Sequence, residues 1–139
     1  MIKKILQNTG SVILGWIAGS IINMGLVQLG HRLFPIPAIS PDDMEALARV
    51  MPDLSSEHFI FPFLAHAIGT FAGALITGWV AVIHRIQLAL VIGLLFFAGG
   101  VMVSFMLPAP GWFTAIDLIL AYFPMAWLGG RLAQKFRKA

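Results

Sequence analysis

The chain has 139 residues, of which 59% are hydrophobic and only 11% charged, less than half the charge of an ordinary soluble domain. That balance excludes a water-soluble fold and equally a disordered chain, because so apolar a sequence collapses or inserts into lipid. Cysteine is absent, which removes disulfides, thiolate catalysis and cysteine-ligated metal centres together.

Four stretches carry the apolar excess: 5–30, 59–83, 86–107 and 112–130, the last interrupted only by Asp117. A hydrocarbon core of roughly 30 Å needs about 20 helical residues, and each stretch is long enough. The expected fold is an all-α, integral membrane four-helix transmembrane bundle. It forms one domain over 1–139, with spans at 8–30, 57–83, 86–107 and 112–131.

In the first span the apolar run after Lys3 and Lys4 far exceeds a signal-peptide core and ends without an Ala-x-Ala site, so a retained membrane helix is expected. Ser11, Gly15, Gly19 and Asn23 follow one another at four-residue steps along one ridge. Small residues in that pattern let a second backbone approach closely.

The outer connection, 31–56, holds most of the acidic residues. Ser40-Pro41-Asp42-Asp43 predicts a helix start, with Ser40 as N-cap, Pro41 at the first helical position and Asp43 returning the cap bond. A short amphipathic helix over 41–51 follows, with Met44, Leu47, Ala48 and Met51 on one face, lying flat on the outer surface. Ser55 or Ser56 then caps the second span.

The second span repeats the small-residue ridge with Ala65, Gly69, Gly73 and Thr77. Phe59, Phe61, Phe63, Phe71 and Trp79 read as lipid-facing or interfacial bulk. Between spans two and three, His84-Arg85-Ile86-Gln87 contains neither Gly nor Pro. The chain must nevertheless turn there, since a continuous helix over 59–107 would be roughly 73 Å long. Pro108-Ala109-Pro110-Gly111 is a strong turn signal before span four. In that last span Pro124 leaves the Leu120 carbonyl without its helical partner and predicts a kink. Gly129 and Gly130 read as packing or helix-end residues.

Topology follows from the cations. Lys3, Lys4, Arg85, Arg131, Lys135, Arg137 and Lys138 have no acidic neighbour on their side, whereas 31–58 carries a net −3. The positive-inside rule then places both termini in the cytoplasm of a cell whose inner (plasma) membrane the chain crosses four times. The lipid bilayer is the first expected partner. A homo-oligomer or a larger membrane complex is a further one, because four helices enclose little volume. Nucleic acid is not expected, because the cations sit at helix ends rather than in a patch interleaved with aromatics.

Polar residues inside spans carry the functional signal. Asn23, His66 and Asp117 each fall roughly 8–11 Å below the outer surface, and Thr70 lies one turn from His66 on the same face. A carboxylate at that depth is costly unless protonated, partnered or open to water, and His66 is its natural partner. One reading makes Asn23, His66, Thr70 and Asp117 a binding site for a proton, a cation or a small polar solute in a transport or channel-like protein. The other makes the layer a purely structural device in a non-catalytic accessory or assembly subunit. Its partner surface would be the glycine ridges of Gly15, Gly19, Gly69 and Gly73 or the 31–58 segment. No metal site is expected, since His58 and His66 stand roughly 12 Å apart on one helix. No cofactor is expected, and enzyme signatures are absent.

Overall fold

The computed structural model describes residues 1–137. Among them are six α-helices and no strand: α1 (Ile2–Leu33), α2 (Met44–Val50), α3 (Ile60–Val80), α4 (Arg85–Met106), α5 (Gly111–Leu120) and α6 (Phe123–Phe136). Four helical segments are long and apolar enough to cross a membrane: Ile2–Leu33, Ser56–Val80, Arg85–Met106 and Gly111–Phe136. Lys138, one of the tail cations, lies outside the described residues.

The helices pack through small residues. On α1, Ser11, Gly15 and Gly19 are buried, and they meet Gly69, Gly73 and Thr77 of α3. A β-carbon added at Gly19 would lie 2.6 Å from the Gly69 carbonyl oxygen, and one at Gly73 would lie 2.7 Å from that of Gly15. The two backbones therefore touch. The hydroxyl of Thr77 donates to the Ser11 carbonyl at 3.1 Å across this contact. Because the ridges face each other within one chain, they are not free to receive a partner.

A second small-residue ridge lies on α6, where Ala126, Gly129, Gly130 and Ala133 are buried. Gly129 faces the Phe71 carbonyl of α3, while Gly130 faces Ala89 of α4. Ala126 lies opposite Gly93 of α4, so α6 wedges between α3 and α4. The outward faces of the helices present large apolar side chains, among them Ile13, Ile17 and Ile21 on α1, Leu94 on α4 and Ile119 on α5.

The turn between α3 and α4 is held from a distance. His84 adopts left-handed backbone angles, φ 54° and ψ 38°, which reverse the chain without glycine. Asn8 of α1 accepts from the Val82 N–H at 3.0 Å and donates to the Ile83 carbonyl at 3.3 Å. Arg137 donates to the Trp79 and Ala81 carbonyls at 3.0 and 3.2 Å. These bonds satisfy backbone groups that the end of α3 would otherwise leave orphaned. They also bring the start of α1, the α3–α4 turn and the end of α6 to one end of the bundle.

The connection from α1 to α3 closes the other end, and here the expected helix start is displaced. Ser40 does not cap α2: its carbonyl accepts from the Asp43 N–H at 3.0 Å, closing a turn with Pro41 at the second position, which proline's fixed φ favours. Asp43 is the N-cap instead, accepting from the Ala46 N–H at 3.0 Å, and α2 begins at Met44. Leu47 of α2 is buried. Met51–Asp53 and Ser56–Phe59 continue as single 3-10 turns. The Ser55 hydroxyl makes no backbone cap; it bonds the Glu57 carboxylate and His58 Nδ1.

Candidate functional site

Span four is not one helix. It breaks at Ala121–Tyr122 between α5 and α6, with Pro124 in the first turn of α6, where its missing N–H costs nothing. The break decides the site. On an uninterrupted helix, residues five apart point roughly 140° away from each other, so Tyr122 would face away from Asp117. With the chain broken between them, the Tyr122 hydroxyl donates to Asp117 Oδ2 at 2.8 Å.

His66 of α3 completes the cluster. Its Nδ1 lies 2.8 Å from Oδ1 and 2.9 Å from Oδ2 of Asp117, and 3.0 Å from the Tyr122 hydroxyl. A carboxylate only accepts, so the imidazole donates through Nδ1. Asp117 and Tyr122 are 4% and 1% exposed, which makes this a buried polar network whose inner members are mutually satisfied. Gly100 of α4 makes room for it: a β-carbon there would strike the Tyr122 hydroxyl. The ring of Tyr122 also packs edge-on against Phe97, centroids 5.9 Å apart.

The other ring nitrogen of His66, Nε2, has no hydrogen-bond partner among the described residues, and it is not among their sealed polar atoms. His66 and Asp117 line a cavity of about 690 Å³ that extends to the α2 end of the bundle. Met24 and Val27 of α1, Val103 of α4 and Leu107 just past its end line it, and Ser104 and Thr114 add hydroxyls. The connection contributes Ile39, Leu47, Met51 and Leu54. Phe59 also lines the cavity and is 3% exposed. It therefore does not face lipid as its place in the aromatic series suggested, but packs on Phe113 at a centroid distance of 4.8 Å.

Asn23 and Thr70 stand apart from this network. Asn23 lies against Gly69 in the α1–α3 contact. Its Oδ1 and the Thr70 hydroxyl are buried without hydrogen-bond partners, and neither residue lines the cavity. The structure brings together His66 and Asp117, adds Tyr122, and leaves Asn23 in the α1–α3 contact and Thr70 buried outside the cavity. Among the described residues no three of histidine, aspartate and glutamate gather as a metal site. His31 and His58 line the cavity with His66, His58 held by Ser55 at 3.0 Å.

Compared with family models, curated proteins and solved structures, the chain matches none.

Proposed function

We propose that this chain is a multi-pass inner-membrane protein whose cavity opens on the outer side, and that it carries a solute or proton loaded at His66 and Asp117. The observation that carries this reading is the cavity itself, which runs from the α2 end to a histidine–carboxylate pair. Its orientation rests on charge: Lys3, Lys4, Arg85, Arg131, Lys135 and Arg137 share the end opposite α2, which the positive-inside rule assigns to the cytoplasm. The apolar outward faces fit contact with lipid.

A carrier fits better than a channel. Below His66 toward the cationic end, α3 is packed against its neighbours through Gly69, Gly73, Thr77 and Gly78, so the pair sits at the bottom of a blind cavity. Passage to the other side requires the small-residue contacts to rearrange, as alternating access does when one packed element rocks against another. The accessory-subunit reading keeps only the 31–58 segment as a partner surface, since the glycine ridges are occupied within the chain.

Proteoliposomes enclosing a pH-sensitive dye test the proposal. After an external acid step with potential clamped by valinomycin and potassium, wild-type vesicles are expected to acidify faster than protein-free ones. Asp117→Asn and His66→Gln should bring the rate down to the protein-free value. Equal rates for wild type and both variants would remove Asp117 and His66 from the coupling step.

A further inference from the structure

Resting on the reading of this cavity as a solute site, we infer that its occupant is a neutral amphiphile: an apolar body carrying a hydroxyl head, seated with the hydroxyl on His66 Nε2. The volume of about 690 Å³ falls in the range of about 300–1,000 Å³ that holds drug-sized ligands, far more than a proton or a metal ion needs. Met24, Val27, Leu47, Phe59, Val103 and Leu107 give it walls that reward an apolar body.

The polar end is equally selective. With Nδ1 committed to Asp117, an imidazole in its neutral form presents Nε2 as an acceptor, and a ligand must bring a donor to meet it. No lysine or arginine lines the cavity, so an anionic head finds no counter-charge. An ammonium head finds the Asp117 oxygens already taken by His66 and Tyr122, and the other carboxylate of the lining, Asp42, is solvent-exposed in the α1–α3 connection. A hydroxyl donor, with Ser104 and Thr114 also lining the cavity, meets Nε2 without burying a further charge. Aliphatic alcohols and phenols share this chemistry.

Binding of farnesol, its methyl ether and a prenylated hydroquinone to the protein in nanodiscs separates these possibilities, read from the ligand-induced shift in thermal unfolding. Farnesol or the hydroquinone is expected to bind about tenfold more tightly than the ether, the worth of one hydrogen bond; whichever of the two binds tighter names the alcohol or the phenol as the source. The preference should vanish in His66→Phe and survive in Leu95→Ala, a change on the exposed face of α4 away from the cavity. Equal binding of alcohol and ether by wild type would overturn the inference, as would a preference that persists in His66→Phe or is lost in both variants. Glycerol competing as well as farnesol would also overturn it, by showing that the apolar walls contribute nothing. Proton flux with no alcohol preference leaves the carrier proposal standing without this substrate class, and the converse result separates the two in the other direction.

Discussion

Asp117→Ala is expected to lower the free energy of unfolding by about 3 kcal/mol, because it strips the acceptor from two donors at once. The Tyr122 hydroxyl, 1% exposed, and the Nδ1 proton of His66 both point at that carboxylate. Without it the Tyr122 hydroxyl is left between Phe97 and Gly100 with only His66 Nδ1, 3.0 Å away, to meet it, and a buried donor left unmet costs about 1–3 kcal/mol. Tyr122→Phe removes a donor and leaves the His66–Asp117 contact intact, so it should cost only about 1 kcal/mol. The double variant Asp117→Ala, Tyr122→Phe should be less destabilised than the sum of the two, since one of the stranded donors is gone. Reversible unfolding in mixed micelles measures all three. Strict additivity would mean that Tyr122 and Asp117 do not act as one network.

Gly19→Leu should separate α1 from α3. Even a β-carbon at this position lies 2.6 Å from the Gly69 carbonyl oxygen and 3.0 Å from Phe96, and backbone cannot swing aside as the tip of a side chain can. Overpacking typically costs about 1–3 kcal/mol, and leucine adds three carbons beyond the atom that already collides. The loss falls on the whole interface, because Gly15, Gly69 and Gly73 depend on the same close approach. Gly25→Leu on the same helix is the control: a β-carbon there meets nothing within 4 Å, and its stability should stay within about 0.5 kcal/mol of wild type. Helix propensity favours leucine over glycine at both positions, so comparable losses at both would show that the close α1–α3 contact is not what Gly19 protects.

The four apolar stretches were legible because a helix that crosses lipid needs length and apolarity, and both are local properties of sequence. His66 and Asp117 were legible for the same reason, as ionisable residues where such residues are rare. Tyr122 was not. Its ring is apolar by composition, and five residues from Asp117 it falls on the wrong side of any continuous helix. Pro124 signalled a disturbance, but the break at Ala121–Tyr122 that turns the hydroxyl toward the carboxylate is set by packing against Gly100 and Phe97. The α3–α4 turn was hidden in a similar way, since the bonds that hold it come from Asn8 and Arg137, distant in sequence. In the connection the competing caps Ser40 and Asp43 stand three residues apart, and the turn closed by Ser40 leaves the cap to Asp43. Asn23 drew attention by depth alone, which says nothing of direction; its side chain lies against Gly69 rather than in the cavity.

The chain has no cysteine, so a single introduced thiol reports its surroundings against a blank background. Ser104→Cys places one in the cavity wall, and Leu95→Cys places one on the exposed apolar face of α4. A membrane-impermeant thiosulfonate added outside intact cells is expected to label Ser104→Cys, to leave Leu95→Cys unmodified, and to be blocked at Ser104→Cys by a saturating cavity ligand. Failure to label Ser104→Cys from outside, or labelling only after the cytoplasmic face is opened, would contradict an outward-facing cavity above His66 and Asp117.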